Sequence, residues 1–66
     1  MQLRLNGRMV EAEAGITVEK LLHGLGLPFP RVAVAVNGEV APRRNHSRHV
    51  LREGDEVEVI QAVAGG

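Results

Sequence analysis

Two Asn-Gly pairs, at positions 6–7 and 37–38, constrain this 66-residue chain more than any other feature. Both residue types enter the left-handed backbone region readily, and an Asn-Gly pair between alternating apolar and polar residues is a strong local hairpin signal. Before the first pair, Met1, Leu3 and Leu5 alternate with Gln2 and Arg4; after it, Val10, Ala12 and Ala14 alternate with Met9, Glu11 and Glu13. This predicts two antiparallel strands. The second pair closes VAVAVN (32–37), where Val32, Val34 and Val36 share one face and Ala33 and Ala35 the other. A run apolar on both faces predicts a central strand. Neither pair opens a helix, so both read as turns and not as phosphate-binding loops.

Between these segments the period changes. Val18, Leu21, Leu22 and Leu25 fall at i, i+3, i+4 and i+7, one face of a helix. Thr17 stands where an N-cap hydroxyl is needed to accept from a first-turn amide. Gly24 to Gly26, followed by Pro28 and Pro30, mark the helix end. From Pro42 to Arg52 the chain is polar and basic (PRRNHSRHVLR), which predicts a loop or one short helical turn, and Glu53-Gly54-Asp55 predicts a turn.

The last strand, EVEVIQAV, alternates at Val57 and Val59 until Ile60 breaks the parity. Either a bulge shifts the register there, or Ile60 and Ala62 lie on the outer face. Strands on both sides of one helix predict an α+β layer, with the helix packed on one face of a mixed sheet of four to five strands.

Composition removes many functions. At this length there is one domain with one small core and little room for a deep catalytic pocket. The absence of Cys excludes disulfides, thiolate metal sites and a cysteine nucleophile. Eight basic residues balance eight acidic ones, and Phe29 is the single aromatic. Neither the charge nor a stacking platform favours nucleic acid. No apolar run approaches the ~20 residues of a membrane span, and MQLRLN reads as too polar for a signal peptide, so a soluble cytoplasmic protein is expected.

Other candidate sites have bland explanations. Arg43, Arg44, Arg48 and Arg52, with His46 and His49, read as a solvated loop first and a docking surface second. The two histidines at i, i+3 have no Cys or suitably spaced carboxylate with which to hold a metal, so no metal site is expected. Ser47 lies near both, but a Ser-His dyad needs an orienting acid and an oxyanion hole. His23 is expected at the surface near the helix C-terminus.

The stretch VAVAVNGEVAPR (32–43), the spacing HVLREGDEVEVIQAV (49–63) and the Gly65-Gly66 end together resemble the ThiS family, the ubiquitin-like β-grasp sulfur carriers of thiamine biosynthesis. The resemblance covers essentially the whole chain. It implies a single domain over 1–66 with a flexible tail at 63–66, acting as a co-substrate of other enzymes and not as an enzyme. In such a carrier the carboxylate of Gly66 is adenylated by an E1-like, ThiF-like adenylyltransferase that uses ATP. It then becomes a thiocarboxylate with sulfur from a donor such as a cysteine desulfurase, and delivers that sulfur to thiazole synthase. The carrier holds no cofactor of its own. Gly65 and Ala64 act as spacers.

The chemistry of the tail agrees with these roles. A terminal carboxyl with a pKa of about 3.3 to 3.7 is an anion at neutral pH, able to attack an α-phosphate. Residues without Cβ thread a narrow cleft that others cannot. Ordering that tail costs about 1 to 2 kcal/mol per residue, so the folded body must supply docking contacts. Ile60 and Ala62, if outward, with Glu56 and Glu58 and the nearby Glu53 and Asp55, form the expected docking surface; the bland explanation is an edge strand kept soluble by charge. Rival readings are the small subunit of molybdopterin synthase, which shares fold and Gly-Gly tail, a protein-conjugating modifier, and a β-grasp interaction or RNA-binding module with an incidental tail.

Overall fold

A computed structural model describes residues 1–26 and 32–61, the last of these by its backbone. Both Asn-Gly pairs make the turns the sequence predicts: Asn6 and Gly7 have φ of 50° and 82°, and Asn37 and Gly38 have φ of 52° and 85°. Positive φ at both central positions gives the twist that joins neighbouring antiparallel strands without splaying them. The first turn joins β1 (Gln2–Leu5) to β2 (Arg8–Glu11); the second joins β3 (Val32–Val36) to β4 (Glu39–Ala41). Strand β4 is a finding beyond the sequence reading, which ended the strand pattern at the turn. It pairs Val36 with Glu39, Ala35 with Val40 and Val34 with Ala41.

Helix α1 (Val18–Leu25) starts where expected, with the Lys20 amide donating to Thr17 Oγ1 at 3.2 Å. It ends at Gly26, whose φ of 71° is the left-handed C-cap conformation. Val18, Leu21 and Leu22 are buried. Leu25, the fourth residue of the predicted face, is exposed and lines a shallow groove with Val10 and Ile16. At the end of a two-turn helix it overhangs the core.

The last strand, β5 (Glu56–Gln61), occupies the middle of the sheet, whose order is β2-β1-β5-β3-β4. It runs parallel to β1 and antiparallel to β3. The bland reading of β5 as an edge strand is therefore wrong; a single strand's residue pattern does not show where it inserts. Residues Leu3, Val34, Val36 and Val57 project from the inner face and pack with Val18, Leu21, Leu22 and Leu51. Each fully buried apolar side chain contributes about 1.5 to 3 kcal/mol, and this one layer of contacts is the core.

The connection from Pro42 to Leu51 contains the predicted short turn, a 3₁₀ helix at Arg43–Asn45, but it is more than a solvated loop. The His49 carbonyl accepts from the Val18 amide at 3.0 Å, and the His46 carbonyl accepts from the Glu19 amide at 3.0 Å. With Thr17 on Lys20, the first three helical amides are all satisfied. The expectation of a solvated His46 is also overturned: it is 1% exposed, and its Nε2 donates to the Ala41 carbonyl at 2.9 Å. A carbonyl only accepts, so Nε2 carries the proton. Polar neighbours in sequence hide this burial, which follows from the segment folding over β4.

Candidate functional site

The register of β5 settles the position of Ile60. Pairing with β3 is continuous from Val36↔Val57 through Ala35↔Glu58 and Ala33↔Ile60 to Val32↔Gln61. No bulge intervenes, so Glu56, Glu58 and Ile60 share the outer face while Val57 and Val59 face inward. Ile60 is 61% exposed.

The same register brings residues beside Ile60 that sequence reasoning did not assign to the site. Ala33 lies opposite Ile60, and Ala35 lies between Glu58 on β5 and Val40 on β4. Val40 is 75% exposed. The outer face of β3, β4 and the end of β5 is thus an apolar patch formed by Ala33, Ala35, Val40 and Ile60, bordered by Glu58 and Glu56. The signal is present in the sequence: Ala33 and Ala35 make β3 apolar on both faces, and β3 is an interior strand of the sheet with one of those faces open.

Of the predicted acidic set, two residues are elsewhere. Glu53 Oε2 accepts from the Gln2 amide at 2.8 Å. Asp55 accepts from Asn37 Nδ2 at 3.0 Å and from the Arg52 amide at 2.8 Å. Both brace the start of β5, at the end opposite Ile60. Of that set, only Glu56 and Glu58 remain on the outer face, with Arg4 across from Glu56.

Ala62, Ala64, Gly65 and Gly66 lie outside the described residues, as does the predicted tail at 63–66. The approach to them is described. Strand β5 is held on both sides, by β3 and by β1, and Asn6 Oδ1 accepts from the Val59 amide at 2.8 Å just past the last β1 pair. The chain therefore reaches Gln61 from a fixed direction with the apolar patch beside it.

Arg43, Arg44, Arg48 and Arg52 are exposed, and His49 is half-buried. Among the described residues no three His, Cys, Asp or Glu side chains gather as a metal site, and no helix is long and apolar enough to cross a membrane.

The fold, one helix on a five-stranded mixed sheet with β5 parallel to β1 at its centre, is that of the ubiquitin-like β-grasp proteins. A solved structure of the thiamine biosynthesis protein ThiS from Geobacter metallireducens superposes with a TM-score of 0.84 at 32% identity, each chain covered in full. The family model described as the ThiS family matches residues 3–66, and the chain belongs to that family. It is 33% identical over 66 residues to the sulfur carrier protein ThiS of Escherichia coli, with both chains fully covered. It is 44% identical over 66 residues to a thiazole synthase of Magnetococcus marinus, of which it spans 20% of the length.

Proposed function

We infer that the chain is a sulfur carrier of thiamine biosynthesis and that its reactive group is the carboxylate of Gly66. The observation that carries this reading is the outer-face patch of Ala33, Ala35, Val40 and Ile60, standing where β5 leads toward residues 62–66 in a ThiS-family chain. A tail that enters another protein's active site needs a docking surface near its root, since ordering five residues costs about 5 to 10 kcal/mol.

The chemistry proceeds in three displacements. The Gly66 carboxylate oxygen attacks the α-phosphorus of ATP held by an E1-like adenylyltransferase, and pyrophosphate leaves. A persulfide, its outer sulfur supplied ultimately by cysteine through a desulfurase, then attacks the acyl carbon and AMP leaves; a thiol cleaves the resulting acyl disulfide, releasing the thiocarboxylate and forming a disulfide with the former persulfide carrier. Thiazole synthase takes sulfur from that group. Gly65 and Ala64 pass through the cleft, and Ile60, Ala62, Glu56 and Glu58 dock with the enzymes. The carrier works in the cytoplasm as a protein co-substrate, and the ATP belongs to its partner. The thiazole synthase partnership is supported by the Magnetococcus marinus relative, in which a domain like this chain is part of a thiazole synthase.

The test is reconstitution with the adenylyltransferase, ATP and a sulfur source, with the chain and a Gly66 deletion compared by intact mass. The full chain exchanges one oxygen for sulfur and the deletion does not. A deletion that is modified equally contradicts the assignment.

A further inference from the structure

Strand β4 stops at Ala41, opposite Val34, while β3 begins two residues earlier at Val32. Among the described residues, no strand continues β4 alongside Val32 and Ala33. A cavity of about 220 Å³ occupies this notch. Buried Val32, Ala41 and His46 form its floor, exposed Ala33 and Val40 its walls, and Arg43 its rim. An apolar cavity of about 150 Å³ accommodates benzene, so the notch has room for one aliphatic or aromatic side chain.

The notch has two further properties. First, Val32 and Ala33 pair with Gln61 and Ile60, so it opens beside the point where the chain passes toward its tail. Secondly, its rim is cationic: Arg43 is exposed, and among the described residues the ion pair present, Met1 with Glu11, is not near it. Glu58 lies toward the other side of the patch, beyond Ala35. The face is thus polarised across β3, positive at the notch and negative at β5.

We propose that this notch is an anchor site for thiazole synthase, taking one apolar side chain of that enzyme with an Asp or Glu beside it that pairs with Arg43. The partner is chosen on two grounds. A 44% identical domain is part of a thiazole synthase chain in Magnetococcus marinus, so the two bodies occur together. The exposed guanidinium of Arg43 on this notch favours a carboxylate next to the inserted side chain, because Arg presents a planar fork that matches that group. The proposal rests on the sulfur-carrier reading and adds to it the place and chemistry of one contact.

The experiment measures affinity of the full-length chain for thiazole synthase from the same organism, using wild type, Arg43→Glu, Arg43→Lys, Val40→Ser and Arg48→Glu. Thermal melting of each variant confirms folding, and thiocarboxylate formation by the wild type checks the carrier reading separately. Arg43→Glu weakens binding by about tenfold or more, because like charges then meet at the rim. Val40→Ser weakens it by about threefold or more through lost apolar contact. Arg43→Lys retains more affinity than Arg43→Glu, and Arg48→Glu, which changes an exposed arginine outside the notch, binds as wild type. Binding of Arg43→Glu at wild-type strength overturns the proposal, as does an equal loss in Arg48→Glu. If wild type forms a thiocarboxylate and these outcomes still occur, the anchor site fails while the carrier reading stands.

Discussion

Asn6 Oδ1 accepts a hydrogen bond from the Val59 amide at 2.8 Å, across 53 positions of sequence. The parallel ladder between β1 and β5 covers Arg4↔Glu56 and Leu5↔Val57, and the Asn6 amide donates to the Val57 carbonyl at 2.9 Å. There β1 turns back, and the Asn6 side chain extends its hold on β5 by one more step. At the far turn Asn37 Oδ1 accepts from the Glu56 amide at 2.9 Å. The two Asn-Gly turns that shape the hairpins therefore also clamp β5, the strand that precedes residues 62–66.

Asn6→Ala removes both the acceptor and the residue type that tolerates φ of 50°, so it destabilises the fold by about 1.5 to 3 kcal/mol. Asn6→Asp keeps an acceptor and the tolerance, and loses less. Urea denaturation of the two variants gives this order of midpoints; equal midpoints contradict the clamp.

His46→Ala empties a buried site beneath β4 and removes the donor to the Ala41 carbonyl, at a cost of about 2 to 5 kcal/mol. The neighbouring Ser47→Ala and Arg48→Ala change exposed side chains and shift stability by less than about 0.5 kcal/mol. Thermal melts separate the three. A silent His46→Ala shows that the segment does not pack as described.

These two residues also mark what was legible in the sequence. The hairpin turns, the helix with its Thr17 cap and Gly26 end, and the core face of β3 follow from local patterns that act within a few residues. Ile60 was legible as a choice between bulge and outward placement, because a period of two admits only those outcomes. Three things were not legible. The side-chain clamps of Asn6 and Asn37 need the insertion of β5 between β1 and β3, which no local pattern states. The burial of His46 depends on a basic segment folding over β4. The apolar patch depends on the three-residue β4, whose Val40 is placed outward by a two-residue turn and a register fixed at Val34↔Ala41.

On the proposed docking surface, the outer face of β5 serves binding, and its inner face serves the core. Ile60→Glu changes a residue that is 61% exposed and leaves the unfolding free energy from urea denaturation within about 0.5 kcal/mol of wild type, while affinity for the activating enzyme falls by about tenfold or more. Val57→Ala, at a fully buried site, costs about 1 to 3 kcal/mol of stability and leaves the docking surface in place. Reversal of this pattern between calorimetric binding and denaturation data contradicts the assignment of the two faces.

On the proposed docking surface, Glu56 and Glu58 would act on the encounter. Their charge-reversed forms, Glu56→Lys and Glu58→Lys, slow association with an activating enzyme that presents basic groups, and they flatten the dependence of the association rate on salt. Stopped-flow association at low and high ionic strength reads both effects. An unchanged rate at low salt removes the carboxylates from the docking surface.

The central claim is that Gly66 carries the sulfur, and intact mass spectrometry of the carrier after incubation with its adenylyltransferase, ATP and a sulfur source tests it most directly. The account predicts replacement of one oxygen by sulfur, localised to Gly66 by fragmentation and blocked in Gly65→Val, whose Cβ and branched side chain obstruct the cleft. Sulfur found at any other residue, or a wild-type yield in Gly65→Val, would contradict it.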